Sequence, residues 1–381
     1  MMTPEDPNTQ IKQNAETAPD SSATRLWNKR TARLVPYVPG EQPRGQTFIK
    51  LNTNENPYPP SPEVLNALSN FNYEQVRLYP DPTGLSLRQA IAAYYGLTID
   101  QIFAGNGSDE VLAMAFQAFF ETVDGPAKPE QEIVFPDITY SFYPVYARLY
   151  DIPYRLVRLG DDFTLPVADC LAPSAGLVLA NPNAPTGRAI DIAQIAELAA
   201  ADRNRLILID EAYIDFGGES AVALLPDFDN ILIIQTCSKS RALAGMRLGY
   251  ALGAPALIEA LRRVRDSFNS YTLDSLAQAA GAAAFGAAEW FERTRSLIIQ
   301  TREKTARALR DLGFVVIPSS ANFLFVSHPK ISGADLYSRL RQAGILVRHF
   351  NQPRIKDYLR ITVGSDENMA ELIRVLQRLL V

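Results

Sequence analysis

A lysine stands where a run of strand-forming residues gives out. Asn230-Ile231-Leu232-Ile233-Ile234-Gln235 leads into Thr236-Cys237-Ser238-Lys239-Ser240-Arg241, with Arg247 a little further on. An amine at the end of a buried strand loses hydration, and its pKa falls. A neutral amine beside fixed positive charge is the nucleophile that Schiff-base chemistry uses. Two other apolar runs end the same way. Leu177 to Ala180 gives Asn181-Pro182-Asn183-Ala184-Pro185-Thr186-Gly187, and Leu206 to Ile209 gives Asp210-Glu211-Ala212-Tyr213. In open α/β sheets ligands sit in the crevice at the strand carboxyl ends, so three such ends can converge on one molecule. Singly, each has an ordinary explanation: Asp210 as a helix cap, Asn183 to Gly187 as a turn, Lys239 as a solvated charge. Their recurrence, one strand–helix unit apart, is harder to explain that way.

A fourth stretch, Phe103-Ala104-Gly105-Asn106-Gly107-Ser108-Asp109-Glu110, reads as a strand, a glycine turn and a helix start. Free amides at Gly107, Ser108 and Asp109, together with the helix dipole, make a phosphate site. It is not a P-loop, because Gly-Lys-Ser/Thr is missing. A phosphate, a ring nitrogen that wants a carboxylate, a phenolic oxygen that wants donors and an aldehyde that wants an amine together describe pyridoxal 5′-phosphate.

The elements that must position these residues follow from the apolar pattern. Short continuous apolar strands alternate with helices from Ile102 to about Gly253, which predicts a mostly parallel α/β sheet covered on both faces. Residues 255–311 read as helical and alanine-rich, and strands at 314–316, 322–326, 345–347 and 359–363 surround a helix over 333–342. The expected division is a polar leader at 1–25, an N-terminal segment at 26–60, a large domain at 61–274 and a small α+β domain at 275–381. Of 381 residues, 47% are hydrophobic and 21% charged, with a net charge of −5, so neither nucleic acid nor an anionic membrane is an expected partner. No long apolar run suggests a membrane span, and no apolar h-region suggests a signal peptide. Two cysteines fit a reducing cytoplasm. With two histidines, neither a histidine metal site nor a histidine triad is expected.

Asn183-Ala184-Pro185-Thr186-Gly187, Asp210-Glu211-Ala212-Tyr213 and Ser238-Lys239-Ser240 with Arg247 resemble the fold-type I, aspartate-aminotransferase-like pyridoxal-phosphate enzymes. Val35-Pro36-Tyr37, the run from Leu51 to Tyr58, Tyr79-Pro80-Asp81, Gly107-Ser108-Asp109-Glu110, Ser320-Ala321-Asn322-Phe323 and Leu359 to Gly364 are most similar to the histidinol-phosphate aminotransferase family. The resemblance implies that Lys239 joins the cofactor aldehyde and later moves the α-proton. It pairs Asp210 with the pyridinium nitrogen, gives Tyr213 and Asn183 to the phenolic oxygen, and stacks Tyr140 on the ring. Ser238, Arg247 and the amides around Gly107, Ser108 and Asp109 would hold the phosphate. Tyr58 would reach the neighbouring subunit's cofactor, which implies a homodimer with shared sites. Tyr37, Arg348, Arg360 and Asn322 fall to the substrate, a guanidinium suiting both carboxylate and phosphate. Many family members carry a second asparagine where this chain has Ala184. The implied activity is transamination between imidazole acetol phosphate and glutamate. An aromatic aminotransferase, a threonine-phosphate decarboxylase and a non-enzymatic cofactor-binding sensor are the alternatives. Arg241 acquires no role.

Overall fold

The computed structural model describes residues 22–37, 40–42 and 48–380. Most of the expected leader, residues 1–21, lies outside the described residues.

Seven strands form the large sheet: β2 (Ile102–Gly105), β3 (Ile133–Pro136), β4 (Tyr154–Val157), β5 (Gly176–Ala180), β6 (Leu206–Asp210), β7 (Ile231–Thr236) and β8 (Gly249–Gly253). Their order is β2-β8-β7-β6-β5-β3-β4. All neighbours are parallel except those of β8, which runs antiparallel to β2 and β7. Strands β5, β6, β7 and β8 are buried at every position, as expected for a sheet with helices on both faces. Ile207, Ile209, Ile231 and Ile233 serve the core on one face, and Leu208, Leu232 and Ile234 the core on the other. Ala180, Asp210 and Ile234 are register partners, so the polar sequences after β5, β6 and β7 emerge along one edge.

The second unit is a four-stranded antiparallel sheet, β12-β13-β10-β9, built from β9 (Val315–Ile317), β10 (Phe323–Ser327), β12 (Arg348–His349) and β13 (Tyr358–Thr362). The N-terminal segment contributes β1 (Ile49–Lys50), which pairs in parallel with β11 (Ile345–Leu346), and Leu51 enters this unit's core.

Two departures from the sequence reading have local causes. The helical stretch expected over 255–311 is three helices, Pro255–Asp266, Ser275–Gly286 and Ala288–Asp311. Asn269, Ser270 and Thr272 are poor helix formers, and Asp274 starts the second helix by accepting from the Ala277 amide at 2.8 Å. That second helix lies beyond the boundary expected at residue 274. Yet it buries Ala277, Ala280, Ala284 and Phe285 in the large-sheet core. The strand expected at 345–347 is β11, which pairs to β1, and a further short strand, β12, follows it and pairs to β13.

Candidate active site

Lys239 lies just past β7 and is half-buried, with Nζ donating to the Thr53 carbonyl at 3.0 Å. Asn56 Nδ2 donates to the carbonyls of Lys239 and Ser240 at 2.9 and 3.1 Å, clamping the turn that carries the lysine. Ser240 donates to Asp215 on the other side. Burial is the largest influence on the amine. Arg360 and Arg247 also depress it and Glu55 and Asp109 oppose them, leaving the pKa lowered to about 8. At neutral pH a usable fraction of the amine is therefore uncharged.

Asp210, 5% exposed at the end of β6, accepts from the Tyr143 hydroxyl at 2.9 Å and the Ala212 amide at 3.2 Å. Desolvation lifts its pKa to about 6, against the pull of those two bonds. At pH 7 it is mostly a buried carboxylate, with no ion pair among the described residues. Tyr213 Oη accepts from Asn54 Nδ2 at 2.9 Å, and its ring meets Phe323 edge-on at 5.1 Å.

The strand–turn–helix at Gly107 packs closely against β8. A Cβ on Gly249 would lie 2.2 Å from the Ser108 amide nitrogen, and one on Gly107, whose φ is +87°, would lie 2.5 Å from Arg247 Nη2. The helix Ser108–Phe119 starts here, so the first-turn amides have no carbonyl of their own to bond. Arg247 holds a left-handed φ of +50° and sits 3.4 Å from Asp109, whose other oxygen accepts from the Tyr140 hydroxyl at 2.8 Å. The hydroxyls of Thr236 and Ser238 meet at 3.0 Å beside them. Tyr140 stands edge-on to Tyr143, at 5.7 Å between ring centres.

Above Lys239 the small sheet brings in Arg360, which donates from Nη2 to the Asn52 carbonyl at 3.0 Å. Its guanidinium rests over Phe323 and Phe350. Arg360 Nε, Asn322 Oδ1 and Asn52 Oδ1 are buried without a partner among the described residues. Buried polar atoms in folded proteins are normally paired, so a group of them marks where a polar ligand completes the set. Arg348 is the register partner of Arg360 on β12. Tyr37 packs on Phe142 at 4.3 Å, and its field reaches Arg360. Tyr58 packs with Phe216, Ile298, Val363 and Tyr213, and its field neighbours are Asp366 and Glu367.

Asn183 is placed differently from its expected use. Its Oδ1 accepts from Thr139 at 2.8 Å, and its amide hydrogens go to the Ile138 carbonyl at 2.9 Å and Thr186 Oγ1 at 3.0 Å. Neither hydrogen is free for a ligand in this conformation. Sequence reading missed Tyr143, Asn54 and Thr362. Asn54 and Thr362 belong to the runs Leu51 to Tyr58 and Leu359 to Gly364 already singled out, but nothing in their spacing names Tyr213 as a target. Arg241 faces neither solvent nor the lysine. Its guanidinium is held by Tyr94, Phe285 and Phe291 and donates to the Ala284 carbonyl at 2.8 Å.

With this geometry in view, the relatives are informative. The family model for aminotransferases of class I and II matches residues 46–376. The chain is 53% identical over 357 residues to histidinol-phosphate aminotransferase 1 of Bradyrhizobium diazoefficiens, covering 94% of this chain and all of that one. The chain belongs to the histidinol-phosphate aminotransferase family. A second relative, from Methylococcus capsulatus, is 53% identical over 93% of this chain and 97% of its own length. The crystal structure of histidinol-phosphate aminotransferase from Sinorhizobium meliloti in complex with pyridoxal 5′-phosphate superposes with a TM-score of 0.76. It covers 97% of this chain and 98% of that one at 23% identity, so it speaks for the fold. For a member of this family, the mixed seven-stranded sheet with a smaller C-terminal unit is the fold-type I architecture that the sequence motifs anticipate.

Proposed function

We propose that the chain interconverts L-histidinol phosphate and imidazole acetol phosphate, with glutamate and 2-oxoglutarate as the second pair, using pyridoxal 5′-phosphate. The observation that carries this reading is Arg360, whose charge helps depress the amine of Lys239 and whose register partner is Arg348. Two guanidinium groups at the mouth of an amine-bearing crevice suit substrates that carry a phosphate in one half-reaction and a carboxylate in the other.

The residues fit the cofactor. The close backbone approach at Gly249 and Ser108, with Arg247 and Ser238 beside it, suits a phosphate. Asp210, mostly ionised at pH 7 and without an ion pair among the described residues, suits a protonated ring nitrogen. Bound there, pyridoxal phosphate supplies an electron sink for charge developing at the substrate's Cα. Lys239 Nζ would hold the cofactor through its aldehyde and would move the proton at the substrate Cα. Asp210 would keep the ring nitrogen protonated, and Tyr213 would donate to the phenolic oxygen. Arg360, with Arg348 and Tyr37, orients the substrate's anionic end, and its orphaned Nε is available for that contact.

A homodimer is part of this proposal. Tyr79, 82% exposed, stacks on Tyr271 at 4.6 Å, and Val76, Leu78 and Phe268 are exposed as well. A second copy is the proposed cover, and it would bring Tyr58 of the partner subunit to the cofactor phosphate. No described helix is long and apolar enough to cross a membrane; cytoplasmic placement belongs to the proposal too. The test is turnover of purified, cofactor-loaded protein with histidinol phosphate, phenylalanine, tyrosine and threonine phosphate. Fastest turnover of histidinol phosphate is expected. Rapid turnover of phenylalanine without it would make the chain an aromatic aminotransferase, and release of carbon dioxide from threonine phosphate would make it a decarboxylase.

A further inference from the structure

Tyr213 is the residue that should donate to the cofactor's phenolic oxygen, yet its hydroxyl is already engaged as an acceptor. Asn54 Nδ2 donates to Tyr213 Oη at 2.9 Å. The orientation of the Asn54 amide is set by Thr362. Thr362 Oγ1 accepts the backbone N–H of Asn54 at 2.9 Å, so its own hydrogen needs an acceptor, and Asn54 Oδ1 stands 3.1 Å away to take it. With Oδ1 facing the threonine, Nδ2 must face the tyrosine. The hydroxyl hydrogen of Tyr213 is then directed away from Asn54, and no acceptor for it appears among the described residues.

The asparagine is placed as though its amide were required. Asn54 is 1% exposed and has a φ of +56°, in the left-handed region that glycine enters without strain. The turn alone would be served by glycine, so what asparagine adds is the side chain. Asn322 Nδ2 fixes the same residue from the other side, donating to its carbonyl at 3.0 Å. Meanwhile Asn183, after β5, spends both its amide hydrogens, and Ala184 beside it has none to offer.

We infer that Asn54 is a positioning residue, which by donating to Tyr213 turns that tyrosine's own hydrogen toward the phenolic oxygen of the cofactor. The inference rests on the cofactor reading above. A hydroxyl that accepts a hydrogen bond becomes a better donor. The same bond, with the Arg360 charge, offsets part of the rise in the Tyr213 pKa that burial imposes. Thr362 lies on β13 two positions beyond Arg360, so the strand that carries the anion-gripping arginine also holds the asparagine that aims the tyrosine.

The test is a pH titration of the visible absorbance of cofactor-loaded protein. A donor to the phenolic oxygen stabilises its anionic form, so loss of the donor raises the titration midpoint. Asn54→Gly keeps the backbone conformation and removes the amide. It is expected to raise the midpoint by about 0.5 to 1 pH unit, the shift one hydrogen bond carries. In a Tyr213→Phe background the same substitution should add nothing, because the two residues act as one donor. Thr362→Val does not touch Tyr213 but frees the amide to turn over, so it should show a smaller shift that also disappears with Tyr213→Phe. It carries the test if the glycine variant does not fold. An unshifted midpoint, or an equal shift with and without the tyrosine, would overturn the inference. If wild-type protein develops no borohydride-trappable absorbance with pyridoxal phosphate, the cofactor reading itself falls, and the inference with it.

Discussion

Arg348 and Arg360 are direct register partners across β12 and β13. Like charges at opposed positions on neighbouring strands repel, and the Arg348 charge joins desolvation in lowering the Arg360 pKa. The pair concentrates positive charge that suits an anionic substrate group. Arg360→Lys keeps one charge but loses the planar fork. We expect it to raise KM for both histidinol phosphate and glutamate by about 100-fold, some 2.7 kcal/mol. Cofactor loading, followed by absorbance, should stay close to wild type. Equal losses in loading and KM would mean that the arginine supports the fold rather than the substrate.

Asp210 gives a pH-dependent expectation for the cofactor-free protein. Its folded pKa of about 6 lies above the unfolded carboxylate value of about 3.9. Between those values the folded state holds a proton that the unfolded state has released. Stability therefore falls as pH rises through that window, and the penalty is constant above it. Asp210→Asn has no such penalty. The cofactor-free variant should be more stable than wild type at pH 8, on the order of 2 kcal/mol, with the gap closing below about pH 4. The loaded variant should lose at least about 100-fold in turnover. Chemical denaturation at pH 4 and 8 reads the first effect, and a variant less stable at pH 8 would contradict the sign.

The end-of-strand chemistry was legible because β5, β6 and β7 are apolar throughout and stop at polar residues. Asp210 and Lys239 stand out for lacking an apolar reason to be there. What stayed hidden was convergence. Tyr143 reaches Asp210 across 67 positions and Asn54 reaches Tyr213 across 159, and no local pattern encodes contacts between separate elements. Arg241 shows the same limit. Its aromatic partners come from three helices distant from it in sequence, contacts that its position beside Lys239 does not name. The break at Asn269 to Asp274 was hidden by the strong helical pattern on both sides.

Gly249 tests the phosphate end. A Cβ there would meet the Ser108 nitrogen at 2.2 Å, a backbone contact that cannot yield cheaply. Gly249→Ala should cost about 1 to 3 kcal/mol in stability and weaken pyridoxal phosphate binding by at least about 10-fold. Thermal melts and cofactor titration measure the two effects separately. Wild-type affinity in a folded Gly249→Ala protein would place the phosphate elsewhere.

The stacked Tyr79 and Tyr271 test the proposed dimer. Tyr271→Glu introduces a charge into an exposed apolar patch, and a charge buried there on association would be costly. Light scattering should find wild type as a dimer at micromolar concentration and the variant shifted toward monomer. A wild type that is monomeric at every concentration would remove the shared-site part of the account.

The central claim is that Lys239 carries the chemistry of an amino-group transfer on histidinol phosphate. The most direct measurement is a single-turnover half-reaction in which loaded enzyme is mixed with excess histidinol phosphate and the change in cofactor absorbance is followed. Wild type should convert its full cofactor complement within seconds, at rates in the usual enzymatic range. Lys239→Ala, loaded non-covalently, should be slower by at least about 1,000-fold, because it has lost both its covalent attachment and the base that takes the α-proton. Conversion by Lys239→Ala at the wild-type rate would contradict the account.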